Sequence, residues 1–345
     1  MNVVSNIIGG KARAKNAGKT PENAEARAIV PPVPAVRRVT IDEGSAGQRL
    51  DNFLLRELKG VPKTHVYRVI RAGEVRVNKG RAQADTRLEI GDEVRVPPVR
   101  LPEKAATPAV PAREFPILFE DEHLIAINKP AGVAVHGGSG VSFGVIEQLR
   151  QARPQAKFLE LVHRLDKETS GLLLVAKKRS ALVHLQDQFR ERETGKTYAA
   201  LVNGAWPANK KVIDVPLLKF IGSDGERWVR AVENSHDPQA EAAKRSISLV
   251  KVAKVFAAHT LVDVTIKTGR THQIRVHLAH SGHAIVGDPK YGDFEANRLI
   301  ARGALNFDRM FLHAKRLQFT HPASGETVEL LAPLPPECEQ ILKKL

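Results

Sequence analysis

The sequence predicts an α+β protein of two bodies, a small helix-rich module followed by a larger sheet-containing domain. Three observations carry that reading. At 345 residues the chain exceeds the ~100–200 residues of an ordinary domain. A stretch with Pro102, Pro108 and Pro111 among small residues makes residues 99–114 a linker. Beyond it, strand-like runs recur without strict alternation with helices, which argues against a doubly wound parallel sheet.

Residues 1–38 read as a disordered basic tail, with seven Lys or Arg against two Glu and the run Val30-Pro31-Pro32-Val33-Pro34. In 39–98, Leu50, Phe53, Leu54 and Leu58 repeat at helical spacing up to Gly60. A second helix follows Pro62 and Thr64, with Val66, Val69 and Ile70 as its apolar stripe and Gly73 at its end. Short strands follow at Val75–Val77 and, after the turn Gly91-Asp92, at Glu93–Val96. In 115–345, strands are expected at 116–119, 124–128, 171–175, 198–202 and 260–266. Ser180 is expected to cap a helix running through Leu182, Leu185 and Phe189.

Charge narrows the function. A net charge of +15 and a pI near 10.0 call for a polyanionic partner. No apolar run approaches the ~20 residues of a spanning helix, and no apolar signal core opens the chain, so a soluble cytoplasmic protein without a membrane partner is expected. The single cysteine excludes an intrachain disulfide and a cysteine-built zinc site. With three Tyr and two Trp, an aromatic-stacking RNA-binding sheet is disfavoured. Residues 54–81 concentrate eight basic side chains against two acidic ones. Arg68 and Arg71 share a helix face there, and with Lys63 and Arg76 they are candidate phosphate contacts as a cluster, although any one of them alone reads as solvated surface.

Several motifs fail on chemistry. Gly18-Lys19-Thr20 and Gly195-Lys196-Thr197 lack the upstream glycine of a phosphate loop, where Arg13 and Arg190 stand. Gly137-Gly138-Ser139-Gly140 is followed by Val141 where a nucleophile elbow needs glycine. His272, His277, His280 and His283 lack the spacing and the glutamate of a zinc helix, so satisfied or RNA-facing histidines are expected and no metal. Two segments remain. His163-Arg164-Leu165-Asp166-Lys167-Glu168-Thr169-Ser170-Gly171 is a polar turn set directly before an apolar strand, a place where a carboxylate is held for chemistry. From the residues alone, Asp166 reads more readily as a turn or cap residue than as a catalytic one. Thr268-Gly269-Arg270-Thr271-His272-Gln273-Ile274-Arg275 follows a strand and opens a short helix closed by Gly282, where Arg275 taken singly would be a surface cation.

Together these segments resemble the pseudouridine synthases that act on ribosomal and transfer RNA. The resemblance rests on His163–Gly171, on Lys196-Thr197-Tyr198 and on Thr268–His277, continuing to Gly287-Asp288-Pro289-Lys290-Tyr291-Gly292. The stretch from Gly47-Gln48-Arg49-Leu50-Asp51 through Asn78 to Gly91-Asp92 resembles the S4 RNA-binding domain. Val135–Gly140 with Phe143–Glu147 is similar to the C-type branch that modifies large-subunit ribosomal RNA. The resemblance implies an αα-β S4 module and a catalytic domain on a mixed, largely antiparallel sheet. It implies Asp166 as catalytic carboxylate, Tyr198 as the uracil-pocket tyrosine, Arg275 as the partner that keeps Asp166 charged, and Arg164 as the residue filling the space of a flipped base. His136 and Arg270 are further candidate RNA contacts. The implied substrate is 23S rRNA or a large-subunit precursor, near the peptidyl-transferase centre, taken by a monomer that needs no cofactor.

Overall fold

The computed structural model describes residues 35–99, 109–138, 141–223, 225–233, 237 and 239–345. The expected tail, except its last four residues, and most of the expected linker lie outside the described residues. The small module runs β1 (Arg37–Thr40), α1 (Leu50–Glu57), α2 (Lys63–Arg71), β2 (Arg76–Val77), β3 (Gly80–Arg81) and β4 (Glu93–Val96). Its four strands are ordered β1-β4-β2-β3. β1 begins at Arg37, so two residues assigned to the tail from sequence are strand. The apolar stripes of both helices meet in one core, in which Leu50, Leu54 and Val66 are wholly buried. Gly73 ends α2 in the left-handed region, φ +71°, as its sequence position requires.

The larger domain continues with β5 (Ile117–Glu120), β6 (Leu124–Lys129), α3 (Val145–Ala152), β7 (Glu160–Leu161), β8 (Ser170–Ala176), α4 (Arg179–Glu191) and β9 (Gly195–Asn203). Then come β10 (Val212–Asp214), β11 (Leu217–Ile221), β12 (Arg227–Ala231), β13 (Ile247–Val255), β14 (His259–Ile266) and α5 (Gln273–His280). The chain closes with α6 (Phe294–Arg302), β15 (Leu312–Thr320), β16 (Thr327–Leu331) and α7 (Pro336–Lys344). Ten strands form one sheet with the path β10-β13-β14-β9-β15-β8-β6-β5, β16 joining β15 and β7 joining β8. Its pairings are antiparallel except β15 with β8, so the sheet is mixed and largely antiparallel. β8 is buried along all seven residues, which is why its sequence is apolar without alternation. β11 and β12 form a separate hairpin.

The parallel contact has a steric condition. Gly171 and Tyr198 both stand in register with Ala314, one on either side of it. A Cβ on Gly171 would lie 2.3 Å from the Ala314 carbonyl oxygen, and its φ is +109°. Only glycine lets β8 approach β15 this closely. One local expectation differs: α4 is entered through Lys178 with no side-chain cap, and Ser180 lies within its first turn.

Candidate active site

The loop 163–169 is pinned to the sheet at three points. His163 Nε2 accepts the Leu174 amide at 3.1 Å, and its ring stacks on Phe189 at 4.6 Å. Burial, then the charge of Lys196, pushes this imidazole down to about 3, so it stays neutral and can accept. Leu165 is buried in the core. Lys129, wholly buried at the end of β6, donates to the carbonyls of Pro130, Val133 and Lys167 at 2.9, 2.8 and 3.0 Å. Burial pushes its ammonium down to about 7. Asp166, between these anchors, keeps its side chain 30% exposed.

Arg275 meets it from α5. Nη1 donates to Asp166 Oδ2 at 3.2 Å, while Nε and Nη2 donate to Asp288 Oδ2 and Oδ1 at 2.8 and 2.7 Å. The side chain is 6% exposed, so Arg275 is an interior cation rather than a surface one. Burial works against its charge, but the Asp288 and Asp166 carboxylates outweigh that and raise its pKa. Asp288, 1% exposed, is pushed up by burial and more than brought back by Arg275 and by the amides of Tyr291 and Lys290. Gln273 fixes the loop ahead of α5: its Oε1 accepts from Thr268 Oγ1 and the Arg270 amide, its Nε2 donates to the Ile247 carbonyl and Ser248 Oγ.

Tyr198 comes from β9 and is half-buried. Burial first, and the Asp166 carboxylate second, raise its phenol above the ordinary value, so it remains protonated. Asp166, Tyr198, Arg164, His136 and Arg270 line one open cleft of about 970 Å³, roofed on one side by the β11–β12 hairpin with Phe220 and Trp228. Arg164 is exposed and takes no ion pair among the described residues. The exposed His136 ring is 2.7 Å from the Gly137 carbonyl, and Arg270 Nε reaches the Arg245 carbonyl at 3.3 Å. The structure therefore gathers Asp166, Tyr198, Arg275, Arg164, His136 and Arg270. Lys63, Arg68, Arg71 and Arg76 lie in the small module and do not line the cleft. Lys63, Arg68 and Arg71 are exposed and Arg76 is half-buried; Arg68 pairs with Glu74 at 3.2 Å.

The four clustered histidines find protein partners. His277, wholly buried, lies between Ser248 Oγ and the Val215 carbonyl at 2.9 and 3.0 Å. His280 meets Glu233, His283 the Asn203 carbonyl, and His272 the Tyr291 hydroxyl. Among the described residues no group of three or more His, Cys, Asp or Glu is placed to hold a metal. Nor is any helix of the described residues long and apolar enough to cross a membrane. Asp288 and Tyr291 received no role from sequence. The signal for Asp288 was available: a guanidinium carries five donors, and one exposed carboxylate cannot satisfy it once buried.

A carboxylate on a pinned loop, backed by a buried arginine and sharing an open cleft with a protonated tyrosine, defines an acid–base or nucleophilic enzyme for a large substrate. The family model described as RNA pseudouridylate synthase matches residues 123–280, and that of the S4 domain matches residues 48–94. The Ribosomal large subunit pseudouridine synthase C of Escherichia coli strain K12 is 50% identical over 318 residues, covering 90% of this chain and 97% of the relative. That of Pasteurella multocida is 51% identical over 317 residues, covering 90% and 94%. Among solved structures, Human RNA Pseudouridylate Synthase Domain Containing 4 is 27% identical with a TM-score of 0.52, covering 66% of this chain and 92% of that one. The chain belongs to the RNA pseudouridine synthase family and carries an S4 domain.

Proposed function

We propose that this protein converts specific uridines of 23S rRNA, free or in a large-subunit precursor, to pseudouridine, with Asp166 as the reacting carboxylate. The observation that carries the reading is the Asp166 carboxylate, 3.2 Å from Arg275 and open to the same cleft as Tyr198. The names of the relatives, large-subunit pseudouridine synthases half identical over nearly their whole length, support the ribosomal substrate.

The reaction breaks N1–C1′, turns the uracil while it is held, and joins C5 to C1′; C5 loses its proton and N1 gains one. Nothing is oxidised and no group is donated, so a monomer without a cofactor can carry it out in the cytoplasm. The target base is stacked in RNA and must be flipped out at a cost of a few kcal/mol. Arg164, exposed at the mouth of the cleft, takes the vacated place with its planar guanidinium. His136 and Arg270 contact the flanking RNA. Asp166 removes the C2′ proton, giving a glycal, or attacks the nucleoside directly; Arg275 stabilises its charge in either route. Tyr198 offers its ring to the uracil face and a proton-bearing hydroxyl. Lys63, Arg68, Arg71 and Arg76 of the S4 module contact phosphates and hold the RNA.

Tritium release from [5-³H]uridine-labelled 23S transcripts and precursor particles tests this, since forming C5–C1′ expels the label. Wild type should release it, and Asp166→Ala should not while binding RNA within a few-fold of wild type. Near-normal turnover by Asp166→Ala would remove the assignment.

A further inference from the structure

We propose that His272 is a positioning residue for Asp166, held by the Tyr291 hydroxyl as the tautomer whose Nε2–H faces the carboxylate. The inference rests on the role given to Asp166 above and adds the group that orients it. His272 is the residue entering α5, with φ +52°, a left-handed conformation unusual outside glycine. Such backbone is maintained where the side chain it directs is used. Its ring is largely enclosed, and Nε2 stands 3.9 Å from Asp166 Oδ2, the same oxygen that accepts from Arg275.

The tautomer follows from the partners. Nδ1 is 2.7 Å from the Tyr291 hydroxyl oxygen, and that oxygen accepts the Val229 amide at 3.1 Å. The hydroxyl hydrogen is then free for Nδ1, and the Asp166 carboxylate facing Nε2 favours the tautomer with the imidazole proton on Nε2. The opposite tautomer would turn the Nε2 lone pair toward a carboxylate. Tyr291 is itself fixed, with Trp228 edge-on at 5.7 Å and the Arg275 guanidinium 5.1 Å over its ring. The charged and titratable groups around His272 are Asp166, Asp288, Arg275, Lys290 and Tyr291. Burial, with Arg275 and Lys290, outweighs the two carboxylates and lowers the imidazole pKa, so the ring is neutral at pH 7.

At 3.9 Å the N–H is too far for a hydrogen bond, but a small rotation of Asp166 closes it. Oδ2 is then held by two donors, Arg275 and His272, and Oδ1 is the oxygen left to react. A neutral donor suits this task, because a second cation would lower the basicity the carboxylate needs.

The test is steady-state tritium release by the full chain, with kcat and KM separated. His272→Asn tolerates the left-handed backbone and can still meet Tyr291, but is too short to reach Asp166. It should lose about tenfold or more in kcat with KM within twofold. His272→Gln restores a reaching N–H and should recover most of that loss. Tyr291→Phe, which frees the ring without removing it, should lose less than His272→Asn. Unfolding midpoints and RNA binding accompany each variant. Wild-type kcat in His272→Asn, equal losses in Asn and Gln variants that remain folded, or a rise in KM alone would overturn the proposal. Failure of the underlying reading would appear separately, as turnover by Asp166→Ala.

Discussion

Replacing Asp288 by Asn tests how the site is held together. Asp288 Oδ1 accepts from Arg275 Nη2 and from the amides of Lys290 and Tyr291, at 2.7, 2.8 and 3.0 Å, and Oδ2 accepts from Arg275 Nε at 2.8 Å. An Asn keeps its oxygen under the three donors and sets its NH2 against the Nε–H. One charge-assisted hydrogen bond is lost, worth about 1.5–3 kcal/mol. The guanidinium also loses its buried counter-charge, and breaking a buried pair costs about 3–5 kcal/mol in all. Asp166 is too exposed to replace it. We expect a loss of about 3–5 kcal/mol at pH 7, together with lost turnover as Nη1 withdraws from Asp166. Urea unfolding followed by tryptophan fluorescence reads this domain specifically, because both tryptophans, Trp206 and Trp228, lie in it. Asp288 has a folded pKa below its ordinary 3.8, so its contribution is full above that value and is lost as pH falls through the folded pKa. The gap between wild type and variant should therefore be level from pH 7 to 5 and close below pH 4. A loss under about 1 kcal/mol, or a gap unchanged down to pH 3, would refute the reasoning.

Gly171→Ala should cost about 4 kcal/mol or more, since its Cβ meets Ala314 backbone and must part β8 from β15; a wild-type unfolding midpoint would contradict this. Arg68→Ala with Arg71→Ala should weaken RNA binding and flatten its dependence on salt while leaving kcat intact, and an unchanged salt slope would return both to solvated surface. His313 is wholly buried between Ser170 Oγ and the Ala332 carbonyl, and burial pushes it down to about 4. The unfolded chain binds its proton from pH 6.5 downward while the folded chain refuses it, so acidification from 6.5 to 4 should cost about 3 kcal/mol. His313→Gln should shed that part of the pH slope, leaving the share due to His163.

The small module was legible because its helices obey one rule, apolar residues at helical spacing against a single core. β6, β8, β9 and β14 were legible for the same reason, being apolar runs of strand length. β15 was not: His313, Lys315, Arg316 and Gln318 interrupt it, and it reads as surface, yet it lies between β8 and β9. Its polar groups are satisfied by partners far along the chain, Lys315 by Asp263 and His313 by Ser170. The same cause hid Asp288 and Tyr291. Asp166, Tyr198 and Arg275 could be found through the motifs that carry the resemblance, whereas the residues that hold them are defined by contacts no local pattern encodes.

The position of β15 also sets an order of events during synthesis. Among the described residues, the strand that carries Asp166's loop and the strand that carries Tyr198 are bridged in the sheet by β15, which begins at Leu312. Until that segment leaves the ribosome, the two halves of the sheet have no common strand, and the carboxylate and the tyrosine cannot come into register. The S4 domain closes its own core more than 200 residues earlier, and domains fold as units in the order they emerge. A nascent chain can thus grip RNA long before it is able to alter a base, and chemistry is switched on only once β15 has been made.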